Sequence, residues 1–267
     1  MNKHKGIQLG TVLMVLFAMN MALLPVAYAE NAILMNKQLN LPNTPLNSNS
    51  NGISVKPTEI NASEVQQIIY QKTLPFQDIK KGDVVTTGKR NSPNDLCQVS
   101  FRITTEFGPG EKGSKSVRTI VDNNCNVVVV EKNESLQPKT ASTDPQTNAA
   151  TDIYMYGWGG TGDKLTERYS QMTFGWDGNS AWKISGDDGY CWWLPDGWSN
   201  TACTYYWNPS NGDWVNMYGQ GDFHYLLNSW THSLLTKTSG SKSGSVSCTY
   251  GYTGSIVNGI VGSCNAW

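Results

Sequence analysis

Side chains suited to binding a ligand are most concentrated in residues 189–214, GYCWWLPDGWSNTACTYYWNPSNGDW, where five Trp and three Tyr surround two Cys. Flat aromatic rings stack on the apolar faces of sugars, and amide or carboxylate groups beside them hydrogen-bond to sugar hydroxyls. The stretch supplies both kinds of group. It therefore predicts a carbohydrate-binding surface with the ligand-binding residues Tyr190, Trp192, Trp198, Tyr206, Asn208 and Asp213.

The aromatic rings have two other interpretations. Any single ring could fill the core of a β domain that is short of Leu and Ile. Ten Trp and ten Tyr in residues 151–267 exceed what such a core needs, so some should be exposed. Exposed rings also suit a membrane interface, but residues 151–267 carry five Lys or Arg against nine Asp or Glu, with no basic cluster to attract anionic lipid. The sequence therefore favours a glycan over a membrane.

Catalytic residues are harder to assign. His224 and His232 would lie about 26 Å apart in a single strand at 3.3 Å per residue, or about 12 Å apart in a helix, so they could not hold one metal ion together. Residues 240–244, GSKSG, have Lys where a nucleophile elbow has Ser. Glycosidases use a pair of carboxylates, and residues 151–267 hold Glu167 and eight Asp, several in Gly-rich turns. A secreted hydrolase of unknown class is the alternative function, with no catalytic residue assigned.

The six cysteines predict disulfides rather than a metal site. They stand at Cys97, Cys125, Cys191, Cys203, Cys248 and Cys264, with no CxxC or CxxH spacing for zinc. Six cysteines allow 15 pairings; we expect the sequence neighbours to pair, Cys97 with Cys125, Cys191 with Cys203 and Cys248 with Cys264. The acidic turns fall short of an EF-hand pattern, so no metal and no cofactor is predicted.

The start of the chain predicts secretion. Lys3 and Lys5 precede a largely apolar run over residues 7–26, and Ala27-Tyr28-Ala29 fits signal peptidase, so residues 1–29 are a predicted signal peptide. No later segment has the roughly 20 apolar residues that a transmembrane helix needs. Residues 30–150 carry 13 basic against 12 acidic side chains, and the aromatic part is acidic, which argues against a nucleic-acid partner. No oligomeric state is predicted.

Composition divides the remainder into four segments. Residues 30–60, rich in Asn and Pro, predict a flexible leader or a propeptide. Residues 61–135 predict a small α+β domain: a helix begins at Asn61 with Val65, Ile68 and Ile69 on one face, and strands follow at 83–87, 98–107, 116–122 and 126–132. Residues 136–151 predict a linker. Residues 152–267 predict an all-β domain.

Short aromatic runs separated by Gly, Asn and Asp define that last domain. They predict strands at 153–157, 168–176, 180–184, 190–194, 202–207, 214–218, 223–236 and 245–252. Residues 223–236 also fit helical spacing, and 190–194 with 202–207 predict a hairpin closed by Cys191 and Cys203. The expected fold is thus mainly β: a small N-terminal α+β domain, then a disulfide-bonded antiparallel β-sandwich or barrel rich in Trp and Tyr.

Overall fold

Almost all of the regular structure is β-strand, as the sequence predicts. The computed structural model describes residues 52–61, 73–93, 95–138, 145–157, 163–208 and 212–267. The predicted signal peptide, most of the predicted leader and the helix expected after Asn61 lie outside the described residues. Besides the strands, the described part has a single 3₁₀ turn at Phe76–Asp78.

The strands follow the alternation of apolar and polar residues. In Cys97–Phe107, for example, every second side chain from Cys97 is buried. In chain order the strands are β1 (Ile53–Val55), β2 (Thr58–Glu59), β3 (Thr73–Pro75), β4 (Val84–Thr87), β5 (Cys97–Phe107), β6 (Gly113–Val121), β7 (Asn126–Leu136), β8 (Gln146–Tyr156), β9 (Lys164–Trp176), β10 (Ala181–Lys183), β11 (Tyr190–Trp193), β12 (Trp198–Asn208), β13 (Trp214–Tyr225), β14 (Trp230–Ser241), β15 (Val246–Ile256) and β16 (Gly259–Ala266).

Within the described residues these strands form two sheets. Sheet I has nine strands in the order β1-β11-β9-β8-β16-β6-β7-β4, with β10 pairing beside β9. Sheet II has seven, in the order β2-β12-β13-β14-β15-β5-β3. The short edge strands β2 and β3 pair parallel to their neighbours, and the other pairs are antiparallel.

The two sheets pack face to face around a mixed core. Apolar side chains of both sheets form its larger part, including Phe101, Ile153 and Tyr252. Where β8 and β9 face β14 the contacts are polar: Thr151 and Thr238 hydroxyl oxygens lie 2.7 Å apart, and those of Ser170 and Thr236 lie 2.6 Å apart. Hydroxyl pairs can be buried there because each satisfies the other.

Every disulfide joins one sheet to the other. Cys191 of β11 bonds to Cys203 of β12, and Cys248 of β15 bonds to Cys264 of β16. Cys97 at the start of β5 bonds to Cys125 in the turn before β7. These are the pairs of sequence neighbours that we expected, but their role is to clamp two layers rather than to close hairpins.

Four expectations about local organisation need correction. Strand β11 pairs with β9 and β1, and β12 pairs with β13 and β2, so 190–207 is not a hairpin. Residues 53–59, the end of the predicted leader, form edge strands. The last residues of the predicted linker lie in β8. Residues 223–236 are neither one strand nor a helix, because a turn separates β13 from β14.

The strands of 97–136 and those of 146–266 share both sheets. Strand β5 pairs with β15 over its whole length, and β6 pairs with β16. The boundary drawn at 136–151 from composition therefore does not correspond to a break in either sheet. Composition changed at that point because the aromatic residues are concentrated in the later strands, not because the core ends there.

Candidate functional site

The structure distributes the six predicted ligand-binding residues over four places, of which the core, with Trp198, is one. Tyr190 and Trp192 of β11 lie half-buried on the outer face of sheet I. Tyr206 lies on the outer face of sheet II, and Asn208 is exposed at the end of that strand. Asp213 precedes β13 and forms an ion pair with Lys242, 2.7 Å away. The six residues therefore do not make one site.

Trp198 is a core residue instead of a surface residue. Only 4% of it is exposed, and its ring packs on the rings of Tyr225 and His232. Trp198 was expected before the strand at 202–207, but it is the first residue of β12, which contains a bulge between Asn200 and Ala202. The aromatic stretch thus divides between core and surface.

The two histidines also lie apart. His224 faces outward on β13, whereas His232 on β14 points into the core. His232 Nε2 is 2.8 Å from the Thr166 hydroxyl, and no described group hydrogen-bonds to its Nδ1. Burial lowers the pKa of His232 to about 3. The histidines therefore cannot act together, as the sequence also indicates.

A groove of about 380 Å³ opens on the outer face of sheet I. Its lining includes two aromatic residues, Tyr169 and Trp267, and the polar side chains of Ser114, Ser135, Gln137 and Asn265. Trp267 is 40% exposed. The volume of the groove is within the range of roughly 300–1,000 Å³ that is common for small-molecule sites.

Sheet register explains why a groove forms here. Asn265 of β16 lies opposite Ala150 of β8 on one side and Ser114 of β6 on the other. Ser114 in turn lies opposite Ser135 of β7. Small side chains on neighbouring strands leave a low surface, which the larger rings of Tyr169 and Trp267 border.

A pair of carboxyl groups, Asp152 and Glu167, lies beside the groove; we refer to these two residues as the acid pair. Asp152 is opposite Tyr169, and Glu167 is opposite Tyr154, so both carboxyls are on the outer face of adjacent strands. Asp152 Oδ1 is buried, and no group of the described chain hydrogen-bonds to it. The Glu167 side chain is only 4% exposed.

Aromatic rings and one ammonium group cover the acid pair. Lys164 Nζ is 2.5 Å from Glu167 Oε1 and lies over the rings of Tyr154 and Trp192, at 5.0 and 5.7 Å from their centroids. Tyr190 pairs with Tyr169 across β11 and β9, next to Glu167 on the same face, and its ring stacks on Tyr169 with centroids 5.3 Å apart. The ring of Trp192 occupies the space that a Cβ on Gly52 would need.

Burial sets the protonation of this cluster. It raises the pKa of Asp152 well above its usual range, and the Glu167 carboxyl adds to the rise. Burial also raises the pKa values of Tyr154 and Tyr190, and that of Tyr169 to about 12. The Asp152 carboxyl therefore keeps its proton to higher pH than an exposed Asp does, and the tyrosines stay protonated at ordinary pH.

An ion pair between the sheets holds the loop that leads into β11. Arg168 on the inner side of β9 donates through Nη2 to Asp187, and both side chains are fully buried. Asp187 also accepts from the backbone N–H groups of Gln171 and Gly189, at 3.1 and 2.8 Å. Arg168 Nη1 donates to the carbonyl oxygen of Tyr190 at 3.4 Å. These bonds fix where Tyr190 enters the outer face.

The outer face of sheet II is built differently. Tyr206 stacks on Tyr218 with centroids 6.1 Å apart, and Lys237 Nζ lies 5.5 Å from the Tyr218 ring. Gln220 donates to both oxygens of Asp222. Hydroxyl and amide groups dominate the rest of this face.

Sequence reasoning missed the groove and the acid pair. Glu167 was considered only as a single Glu, and Asp152, Tyr169 and Trp267 were not singled out. Asp152 and Glu167 are brought together by the register of β8 and β9. A polar residue at alternate positions of both strands is the signal that could have pointed to a common outer face.

Two kinds of feature are absent from the described residues. No group of three or more His, Cys, Asp or Glu is placed there to hold a metal ion. A search for a membrane-spanning helix among the same residues finds no helix of sufficient length and apolarity.

Comparisons with known proteins identify no family. No family model matches the chain, and no curated protein matches it. Among solved structures, the chain is similar to a hypothetical protein from Listeria monocytogenes EGD-e, at 10% identity and a TM-score of 0.25. That match covers 51% of this chain and 98% of the other.

Proposed function

We propose that this is an extracellular protein that binds a neutral carbohydrate in the groove on the outer face of sheet I. The observation that carries the proposal is the lining: two rings, Tyr169 and Trp267, face a surface of Ser, Asn and Gln side chains. Rings supply stacking for the apolar face of a sugar, and amides and hydroxyls can both donate to and accept from its hydroxyls. The lining carries no charged side chain, which favours a neutral sugar.

An extracellular location is part of the proposal. The predicted signal peptide supports it, and so do three disulfides, since such bonds persist in oxidising compartments. Tyr190 of the sequence-based prediction borders the proposed site through its stacking on Tyr169, and Trp192 follows it on the same face of β11. Tyr206, Asn208 and Asp213 lie elsewhere and are left out of it.

The test is a glycan screen with the mature protein, followed by titration of Trp267→Ala. Removing a stacking ring should weaken the affinity for the bound glycan at least tenfold, which is about 1.4 kcal/mol. Trp214→Ala is the matched control, because Trp214 is 38% exposed on the other sheet and is not in the groove. Equal affinities of both variants and the wild type would exclude the groove as the glycan site.

A hydrolase is the second candidate, and the acid pair is the observation that favours it. Glycosidase carboxyls are typically about 5–10 Å apart with substrate between them, whereas Asp152 Oδ1 and the Glu167 side chain are buried under the rings and Lys164. This arrangement supports binding over hydrolysis. Release of reducing ends from a bound glycan, abolished in Glu167→Gln, would reverse the ranking.

A membrane-interface role is favoured by one exposed apolar turn. Leu226 and Leu227, between β13 and β14, are 62% and 77% exposed, and the stacked rings of Tyr225 and Trp230 lie directly beneath them. Two leucines give a small apolar area, so we rank this role below glycan binding. Including vesicles of neutral and anionic lipid in the binding screen separates the two.

A further inference from the structure

The groove on the outer face of sheet I runs across the strands. Its lining extends from Tyr169 on β9 to Ser135 on β7, with Asn265 of β16 and Ser114 of β6 between them. The strand order is β9-β8-β16-β6-β7, so the lining spans four gaps between neighbouring strands. At about 4.8 Å per gap, the backbones at the two ends lie roughly 19 Å apart. A groove of about 380 Å³ with this length is long and narrow.

Stacked tyrosine rings close the end of the groove at β9. Tyr190 lies opposite Tyr169 on the neighbouring strand β11, and their ring centroids are 5.3 Å apart with 24° between the ring planes. This separation is about that of neighbouring strands, so the stack runs across the sheet. Tyr190 therefore covers one face of the Tyr169 ring, and the other face is turned toward the groove. The Tyr169 hydroxyl is fixed by donating to Gln171 Oε1, 2.9 Å away.

The opposite end of the groove is open. Ser135 and Gln137 line this end, and both are exposed. Strand β4 is the neighbour of β7 on this side of sheet I, but it pairs with residues 126–128, at the other end of β7 from Ser135. No described strand therefore lies beyond Ser135, and a ligand longer than the groove can continue into solvent there.

Polar groups line the groove between its two ends. Asn265 lies opposite Ser114, and Ser114 lies opposite Ser135, so an amide and two hydroxyls follow one another on neighbouring strands. Each of these groups can both donate to and accept from a sugar hydroxyl. The groove thus offers a stacking surface at its closed end, followed by a series of neutral hydrogen-bonding groups.

We infer that the groove binds the end of a linear neutral oligosaccharide, with the terminal sugar stacked on Tyr169 and the following units lying across β16, β6 and β7. One sugar unit lengthens a linear glycan by about one gap between strands, so the groove accommodates about three or four units. A single sugar reaches either Tyr169 or Ser135 and not both. The tyrosine stack leaves no path past Tyr169, so an end of the glycan and not its middle lies there. The inference rests on the proposed carbohydrate function and adds the length and direction of the ligand.

Calorimetric titration of the mature protein tests the length. The probes are linear oligosaccharides of one to six units in three neutral series, β-1,4-linked glucose, β-1,4-linked N-acetylglucosamine and α-1,4-linked glucose. In a series that binds, we expect the affinity to rise at least tenfold from one unit to three and to stay level beyond four. Equal affinity for one and three units, or a rise that continues to six, would overturn the inference.

Variants at the two ends test which end of the groove each sugar occupies. Ser135→Trp fills the open end, so it should lower the affinity for four units to that for two and leave the affinity for two units unchanged. Tyr169→Ala removes the stacking face and should weaken binding of every length at least tenfold. Ser247→Trp, on the outer face of sheet II, is the matched control for the added ring. Loss of affinity in Ser135→Trp that is equal for all lengths would contradict the inferred arrangement.

Biotin attached to one or the other end of a six-unit probe tests the direction. Biotin at the end that stacks on Tyr169 should weaken binding at least tenfold, whereas biotin at the end that leaves over β7 should have little effect. Equal binding of both conjugates would overturn binding through the glycan end. Binding that does not depend on length, but is lost in Trp267→Ala, would contradict this inference alone. Absence of binding in all three series would contradict the proposed function, and the inference with it.

Discussion

His232 and the acid pair place titratable groups in two different environments. His232 lies between the sheets in contact with the rings of Trp198, Phe223 and Tyr252, and the Thr166 hydroxyl is its hydrogen-bond partner. The acid pair lies on the outer face of sheet I under tyrosine rings, and Lys164 partly compensates its charge. In the core, ring packing surrounds a neutral group; on the outer face, an ammonium group offsets the charge of two neighbouring acids.

Burial favours the uncharged form in both places, and the consequences for stability have opposite signs. The pKa of His232 is lowered from 6.5 to about 3, so the unfolded chain binds more protons in that window and stability falls as the pH drops. The pKa of Asp152 is raised above 3.8, so the folded chain binds more protons and stability falls as the pH rises. Over the pH range in which both groups titrate, their opposite effects on the free energy of unfolding should cancel.

Replacing His232 is expected to have the largest effect. His232→Phe keeps the ring packing and removes the histidine's contribution to the pH dependence of the free energy of unfolding. That contribution is about 1.4 kcal/mol per pH unit, or roughly 3–4 kcal/mol between pH 6.5 and 4. The variant should then become less stable as the pH rises, because the loss of stability caused by Asp152 is no longer offset by His232. It should also lose about 1–3 kcal/mol at every pH, because the Thr166 hydroxyl is left unpaired.

The measurement is urea unfolding at pH 4, 5, 6 and 7. His224→Gln, on the outer face of sheet II, is the control and should retain the profile of the wild type. A His232→Phe profile that matches the wild type would show that His232 is not the source of the acid-side slope.

Removing the clamp beneath the acid pair is expected to cost slightly less. The double variant Cys191→Ser with Cys203→Ser removes a disulfide between cysteines that are 12 residues apart in sequence. Its free energy of unfolding should fall by about 3 kcal/mol. Cys191 lies between Tyr190 and Trp192 in β11, so its loss should also weaken the pH dependence that comes from the acid pair. Cys248→Ser with Cys264→Ser should cost a similar amount and leave that dependence intact; urea unfolding at pH 5 and 8 compares them.

The smallest effect is expected for Asp152→Asn. Asn has nearly the shape of a protonated Asp and carries no charge, so stability at pH 5 should change little. At pH 8 the variant should be more stable than the wild type by about 1–2 kcal/mol, because it no longer has to retain a proton that the unfolded chain would release. Thermal unfolding at the two pH values measures the difference, and a variant that is less stable at pH 8 would contradict a raised pKa at Asp152.

Local patterns in the sequence predicted individual strands well and their partners poorly. Alternation through Val99, Phe101 and Ile103 identified β5, and sequence proximity identified the partner of each cysteine. Alternation fixes only the face on which a side chain lies, not which strand is adjacent. For this reason β11 and β12 were expected to form a hairpin, although they belong to opposite sheets.

The candidate site depends on which strands are neighbours and in which register they pair, and the sequence did not predict either. Asp152 and Glu167 meet because β8 and β9 pair in one register across the loop between them. The groove needs β16 beside both β8 and β6, and β16 was not predicted as a strand. Trp267 and Tyr169 could therefore not be associated from the sequence, whereas Tyr190 and Trp192 could be proposed from composition alone.

The position of β16 affects the order in which the protein can fold. This strand follows all the other described strands in the chain, yet it lies between β8 and β6 in the interior of sheet I. A chain still emerging from a ribosome or an export channel therefore has two central strands without their common neighbour. Such a chain would expose unpaired strand edges, which favour aggregation. Complete folding must wait for residues 259–266, so premature termination before them would yield an aggregation-prone chain rather than a smaller version of the protein.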